Sequence, residues 1–157
     1  MDLKPQNDSQ NELPTRLLDL PMYLMLILSR IGYRNAVQSK IKFRMPEYAV
    51  MATLEEFGPS NQQALAQRVG FDKSDVTKII NNLEAAGFLS RKEDHEDRRR
   101  YWVNLTTSGK RQLEHAEREI TETMKSFLGG LSSSEYKMLQ KLLLKALAKH
   151  DSRFQRT

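Results

Sequence analysis

At 157 residues, the chain is long enough for one domain with a sizeable core, and its 39% hydrophobic and 29% charged residues exclude a disordered protein. The absence of cysteine excludes disulfide frameworks, thiolate metal sites and thiol redox switches. A net charge of +5 favours a polyanionic partner, although many unrelated proteins carry a similar charge.

The N-terminal region is predicted to contain a flexible arm and two helices. Residues 1–13 are polar, lack a signal-peptide core and form the arm. A first helix is predicted over residues 21 to about 40, because proline is well tolerated in a first helical turn. Its opening run, residues 22–28, is apolar on every side but too short to cross a bilayer, so we expect a cytoplasmic protein without membrane contacts. A second helix is predicted over residues 46–57.

A closely spaced pair of helices follows. Ser60 and Gln63 have the spacing of a capping box and predict a third helix that ends at Gly70. Asp72 is expected to cap a fourth helix, and Gly87 suits the left-handed turn that ends it. Two short helices separated by a tight turn are typical of a helix-turn-helix.

A β-hairpin with a basic tip is predicted next. Residues 88–91 and 101–105 alternate apolar and polar side chains, and they flank a charged loop that ends in three successive arginines. A solvated basic loop on an unrelated domain would show the same arginines. The preceding helix pair favours a winged helix instead, and the usual role of a winged helix is to grip duplex DNA.

Two long helices are predicted after the hairpin. Thr106 caps the fifth helix, Gly129 and Gly130 end it, and Ser132 with Glu135 forms a capping box that opens the last helix. The apolar stripe of the fifth helix comprises Leu113, Ala116, Ile120, Met124 and Phe127. The apolar stripe of the last helix comprises Tyr136, Leu139, Leu142, Leu143, Ala146 and Leu147.

The predicted architecture is mainly α with a small β-hairpin wing (α+β). A single domain over residues 14–157 contains a winged helix-turn-helix at 46–106, flanked by N- and C-terminal dimerisation helices at 14–45 and 107–150. The central module is nearly self-sufficient, so the apolar surface of the flanking helices needs a partner. We expect a homodimer, whose two-fold symmetry presents two reading helices to successive grooves of DNA. Packing of these helices on their own chain is the alternative.

The fourth predicted helix separates into two stripes. The core stripe comprises Val76, Ile79, Ile80 and Leu83. The opposite stripe, which we predict to read base edges in the major groove, comprises Ser74, Thr77, Lys78 and Asn81. Lys73, at the start of the helix, is predicted to bind DNA with them. Asn pairs bidentately with adenine, Lys pairs with guanine, and the Thr methyl contacts the thymine methyl. An ordinary solvated helix face has a similar composition and is the alternative. Asp75 lies at the flank, where it serves the helix dipole or accepts from a cytosine amine.

The acids and bases of the hairpin tip alternate, which suggests that a carboxylate orients a guanidinium. Asp97 lies two residues from Arg99, so both point to one side of an extended segment. A pre-oriented Arg99 suits a narrow A·T minor groove, whereas Arg98 and Arg100 point the other way, toward phosphate or solvent. We predict that these four residues form the DNA-contacting part of the wing.

The assembled motifs resemble the MarR family of bacterial transcription regulators over roughly residues 46–114. DRRRYWVNLTTSGK resembles the family's wing signature, and NNLEAAGFLSRKED resembles the end of its recognition helix with the first wing strand. The resemblance implies a triangular homodimer of winged helices that binds double-stranded DNA at a pseudo-palindromic operator. It also implies that Arg99 is the minor-groove arginine with Asp97 as its carboxylate partner, and it places Ser74, Thr77 and Lys78 where the family reads bases.

The resemblance bears on DNA release as well. Many family members release DNA when a small, often phenolic or carboxylate ligand enters a cleft between the dimer helices and the winged helix. Cysteine oxidation is excluded here, and the scattered His95, His115 and His150 do not favour a zinc site, so we expect neither a metal nor a cofactor. We expect a repressor released by a small aromatic or acidic ligand, with constitutive DNA binding as the alternative. The candidate cleft residues, whose alternative role is packing in the core or dimer interface, are Tyr23, Tyr33, Arg34, Met45 and Phe57.

An enzyme is not expected from this sequence. It has no Gly-rich phosphate loop, no cysteine nucleophile and no Ser/His/acid grouping in a recognisable context. A winged helix used as a protein-interaction module is the remaining alternative. The basic hairpin tip and the polar stripe of the fourth helix disfavour it, because such an interface would present apolar anchors there.

Overall fold

A computed structural model of the chain describes residues 12–38, 44–93 and 101–155. The chain divides after Lys40 into two units. Most described residues are helical, and the second unit adds one small antiparallel sheet. The predicted fold class, mainly α with a β-hairpin wing, is thereby confirmed. The predicted flexible arm falls almost entirely outside the described ranges and stays a prediction.

The first unit contains two helices in its described part. The one-turn helix α1 spans Thr15–Leu18, and α2 spans Pro21–Gln38 and begins at the predicted proline. Helix α1 was not predicted, because four residues are too few to show a helical period. Met22 and most other apolar side chains at the start of α2 are exposed. None of the described helices is both long enough and apolar enough to cross a membrane.

The second unit contains the longer helices and the sheet. Its helices are α3 (Met45–Phe57), α4 (Gln62–Val69), α5 (Lys73–Ala85), α6 (Thr107–Phe127) and α7 (Ser133–Ala148), followed by a 3₁₀ turn at Ser152–Phe154. Its strands are β1 (Ser60–Asn61), β2 (Leu89–Glu93) and β3 (Tyr101–Leu105). The strands are antiparallel in the order β1-β3-β2, with Leu89 opposite Leu105. The two predicted hairpin strands and the five helices predicted for this unit are all present, and the start of α4 differs in position.

The start of α4 differs from the prediction. Ser60 does not cap the helix but lies in β1 opposite Val103, and its hydroxyl donates to the carbonyl oxygen of Gly58 at 3.1 Å. The Asn61 side chain caps α4 instead, because it accepts from the backbone N–H of Ala64 at 2.9 Å. The predicted capping box at Ser60 is therefore wrong. The Ser60 hydroxyl is bound to Gly58, and pairing of Asn61 with Trp102 extends the strand by one residue, so Asn61 becomes the N-cap and the helix begins at Gln62.

The core forms where α3, α4, α5 and α6 pack against the sheet. Its buried side chains from α3 are Val50, Met51 and Leu54, those from α4 and α6 are Leu65, Ala66, Leu113 and Ala116, and those from α5 and the sheet are Val76, Ile79, Ile80, Leu83, Leu89 and Val103. Every predicted core residue of the fourth helix is among them. One continuous apolar core therefore holds the two helices of the helix-turn-helix and the base of the wing.

A hydrogen-bonded joint connects the end of α5, the base of the wing and the start of α6. Gly87 has φ 77°, and the N–H of Phe88 donates to the carbonyl of Leu83 at 2.9 Å, which ends α5 as predicted. Thr106 caps α6 by accepting from the N–H of Gly109 at 3.0 Å, and its hydroxyl donates to the carbonyl of Gly87 at 2.8 Å. A β-carbon on Gly109 would collide with the carbonyl oxygen of Phe88. Thr106 supplies the helix cap and Gly109 leaves room for the Phe88 carbonyl, which explains the Thr-x-x-Gly sequence.

The last helix keeps an apolar face at the surface. The predicted capping box of α7 is confirmed: the Glu135 carboxylate accepts from the Ser132 N–H at 2.8 Å, and the hydrogen bonds from Ser132 lower the pKa of Glu135. The predicted stripe of α7 stays largely exposed, and Leu142 retains 56% of its surface.

The C-terminal turn contacts the helix-turn-helix. The Arg153 guanidinium donates to the carbonyl oxygen of Gln67 at 3.1 Å, near the end of α4. The same guanidinium forms an ion pair with Asp151 and lowers the pKa of that carboxyl to about 2. A cation at the end of α4 also suits the negative end of the helix dipole.

Candidate nucleic-acid interface

The two predicted stripes of α5 occupy opposite environments. Val76 and Ile80 have no exposed surface, and Ile79 and Leu83 are also buried. On the other side, Lys73, Ser74, Lys78 and Asn81 are exposed and Thr77 is half-buried. The helix is therefore held by one face while a polar face points away from the core, as a reading helix requires.

The turn before α5 sets the angle between the two helices. Gly70 ends α4 in the left-handed region with φ 74°, and its N–H donates to the carbonyl of Ala66 at 2.9 Å. Asp72 precedes α5 as predicted. Its side chain accepts no capping hydrogen bond within the described part of the chain. Asp72 thus occupies the predicted N-cap position without the predicted capping contact.

The hydroxyl of Thr77 is already hydrogen-bonded within the protein. The hydroxyl donates to the carbonyl of Lys73 at 2.7 Å and accepts a hydrogen bond from the side-chain amide of Gln62. Because the Thr77 hydroxyl donates its proton to Lys73, it has no donor left for a base. The methyl group is what Thr77 can offer to a thymine methyl in the major groove. Gln62 was missed by the sequence analysis, since it lies on α4 and shares no helical period with α5.

Asn81 is bound to the first wing strand. The Arg91 guanidinium donates from Nη2 to Oδ1 of Asn81 at 2.6 Å and forms an ion pair with Glu84 through Nη1. Asn81 and Glu84 lie one turn apart on α5, and Arg91 lies in the middle of β2. This cluster connects the reading helix to the wing. Arg91 and Glu84 were not predicted from the sequence, because no pattern within a single element connects them.

Lys78 is an exposed cation on this face. Its ammonium lies 3.6 Å from the Asp75 carboxylate, and its side chain is 76% exposed. An exposed pair of this kind contributes about 0–1 kcal/mol, so it leaves Lys78 free to turn toward an anionic partner. Asp75 therefore forms an ion pair with Lys78 on the flank of α5. It also lies in the first turn of the helix, where its charge suits the helix dipole.

The predicted wing contacts fall on residues outside the described ranges. Strand β2 is described up to Glu93 and β3 from Tyr101 onward, with Glu93 opposite Tyr101. The residues that carry the wing prediction and lie between them are Asp97, Arg98, Arg99 and Arg100. Their contacts with DNA remain predictions, and His95 lies outside the described residues as well.

The candidate cleft residues occupy both units. Tyr23, Tyr33 and Arg34 lie on α2 in the first unit. Met45 and Phe57 lie at opposite ends of α3 in the second, and twelve residues of helix separate them by roughly 18 Å. These two side chains therefore do not line one small site together. The Arg68 guanidinium also covers the Phe57 ring, at 3.9 Å from the ring centroid.

The described residues offer no metal site. No group of three or more His, Asp or Glu side chains is arranged for a metal in the described part of the chain. His115 instead lies 3.5 Å from Glu119, one turn further along α6.

Comparison with known proteins identifies this arrangement. The MarR family model matches residues 43–101, which contain α3 to α5 and the hairpin strand β2. The HTH-type transcriptional regulator YkoM of Bacillus subtilis is 33% identical over 104 residues, which cover 66% of this chain and 68% of YkoM. The regulatory protein assigned to the hcr operon of Thauera aromatica is 31% identical over 67% of this chain and 63% of its own length. Among solved structures, one of the similar folds is the regulator PcaV of Streptomyces coelicolor in complex with its natural ligand. The two structures have a TM-score of 0.72 at 25% identity, and the match covers 86% of this chain and 96% of the PcaV chain. The chain belongs to the MarR family of winged helix-turn-helix, DNA-binding transcriptional regulators.

Proposed function

We propose that this regulator is a sequence-specific repressor that binds double-stranded DNA as a homodimer and releases it when a small ligand binds. The observation that carries the proposal is the outward face of α5, where Lys73, Ser74, Lys78 and Asn81 are exposed on a helix whose other face is fully buried. A protein-docking module would place apolar anchors on such a face. This polar, hydrogen-bonding face favours DNA.

The proposed docking places α5 in the major groove and the wing beside it. Lys78 donates to guanine acceptors, and the Thr77 methyl meets a thymine methyl. Arg99, oriented by Asp97, enters the minor groove, and Arg98 with Arg100 binds phosphate. On this proposal, α5 carries the base code and the wing carries affinity.

A second copy of the chain is the proposed partner of α7. Apolar side chains of this helix stay exposed within the described chain, including Leu142, Leu143 and Leu147. A symmetric dimer would bury them and would place two reading helices about one turn of DNA apart. The operator is therefore proposed to be an inverted repeat.

Ligand release is proposed from the family and from PcaV, which was solved with its natural ligand. A small aromatic or acidic molecule is the proposed effector, and the candidate contacts kept from the sequence are Tyr23, Tyr33 and Arg34 of α2. A constitutive DNA binder is the alternative within the same family.

Selection of bound sequences from random duplex DNA tests this function. We expect an inverted repeat, bound by one dimer, with affinity that falls steeply as salt increases. A screen of small aromatic acids against the selected operator then tests release. Selection of no sequence, together with weak and salt-insensitive binding, would overturn the DNA-binding proposal. Release by none of the acids would favour the constitutive alternative.

A further inference from the structure

The contact between Arg91 and Asn81 determines which way the Asn81 amide faces. A guanidinium has only donors, so the Asn81 atom that lies 2.6 Å from Nη2 must be the oxygen. The amide oxygen therefore faces β2. The amide nitrogen lies on the other side of the same planar group and faces away from the guanidinium.

Arg91 is itself held in place. Its neighbour across the sheet is Val103, a buried core residue of β3, so the backbone under Arg91 is fixed by strand pairing. Its second terminal nitrogen is occupied by Glu84, and its side chain is only 26% exposed. Because both terminal nitrogens of the Arg91 guanidinium are bound, the side chain has little freedom to release Asn81 when another partner approaches.

This orientation changes what Asn81 can read. Bidentate pairing with adenine requires the amide oxygen and nitrogen side by side against one base. Here the oxygen is turned toward a cation, so the nitrogen is left to meet the groove with two N–H donors. Guanine offers two acceptors there and thymine one. Adenine offers one acceptor, N7, but its amine is a donor and would face the second N–H of Asn81.

We propose that Arg91 is a specificity-determining positioning residue: it holds Asn81 with its amide nitrogen outward, so that Asn81 favours guanine or thymine and loses the bidentate adenine pairing expected of a free asparagine. This inference rests on the proposed function, because it requires α5 to lie in the major groove. Two simpler roles for Arg91 compete with it, a phosphate contact and a brace for the fold. Neither would change the base preference of Asn81.

The test measures binding of the full chain to the selected operator and to every single-base variant of one half-site. Asn81→Ala identifies the base pair that Asn81 reads, where wild type should prefer guanine or thymine over adenine. Arg91→Met frees the amide and should shift that preference toward adenine by about tenfold, the scale of one bidentate contact. Glu84→Gln should shift it in the same direction, and by less, because Arg91 keeps one of its two partners.

Two controls separate specificity from charge and folding. Lys92→Met removes the same charge from the next residue of β2, whose side chain points to the other face of the strand, so it should leave the base profile unchanged. Arg91→Met added to Asn81→Ala should cause no further change in profile, because Arg91 acts through Asn81. Equal thermal unfolding of the variants establishes that they fold.

The outcomes are distinct. A wild-type protein without any base preference overturns the proposed function, and this inference with it. If wild type selects an operator but already prefers adenine at the Asn81 position, the inference alone is wrong. It is also wrong if Arg91→Met weakens all sequences equally, or if Arg91→Met shifts the profile by the same amount when Asn81 is already Ala.

Discussion

Replacing Thr106 with valine should destabilise the second unit measurably, because one hydroxyl serves two hydrogen bonds in the joint between α5, the wing and α6. Valine keeps the shape but loses the cap on Gly109 N–H and the donor to the carbonyl of Gly87. Loss of an N-cap costs about 0.5–2 kcal/mol and loss of the second hydrogen bond about 0.5–1.5 kcal/mol. We therefore expect a decrease in the free energy of unfolding of about 1–3 kcal/mol.

The assay is urea unfolding followed by circular dichroism at one fixed protein concentration. Thr106→Ser is the matched control, since it keeps the hydroxyl and removes only a half-buried methyl, which is worth less than about 0.8 kcal/mol. The midpoint should fall clearly for Thr106→Val and slightly for Thr106→Ser, with the same slope against urea. Equal losses in the two variants would refute the reasoning, because the hydroxyl would then contribute nothing.

Three further predictions follow from the same structure. Gly109→Ala should lower the unfolding midpoint even though alanine is the better helix former by about 1 kcal/mol, because its β-carbon meets the Phe88 carbonyl; a stabilised variant would contradict this contact. The Asp151 pKa is about 2 in the folded chain, below its ordinary value, so the stability that its pair with Arg153 provides is present above pH 4 and is lost as the pH falls toward 2. In an NMR titration, Arg153→Ala should return the Asp151 pKa toward 3.8. An unchanged pKa would contradict the pair. Leu142→Glu should convert the proposed dimer to a monomer in sedimentation, since it places a charge on the exposed apolar face of α7, and an intact dimer would argue against that face.

Patterns within one element were predictable from the sequence. The 3.6-residue period placed Val76 and Ile80 in the core, and the capping box at Ser132 was found because its partner Glu135 lies three residues along the chain. These signals are local, so no tertiary information was needed to recognise them.

Contacts between elements were not predictable in the same way. Strand β1 is two residues long and exists only because Ser60 meets β3, so its sequence carries no alternation. The bonds from Gln62 to Thr77 and from Arg91 to Asn81 join side chains fifteen and ten residues apart on different elements. No period connects such positions. These contacts decide which polar atoms of α5 remain available to bind DNA. That part of the site could be seen only in the three-dimensional structure.

The most direct test of the central claim compares binding to the selected operator with binding to a scrambled duplex of the same length and composition. Fluorescence anisotropy across a salt series should show tighter binding to the operator at every salt concentration. Lys78→Ala should relax discrimination at one or two base pairs per half-site, by about 1–3 kcal/mol each. Equal affinity for the two duplexes, or a Lys78→Ala variant that keeps every base preference of the wild type, would contradict the account of α5 as the reading helix.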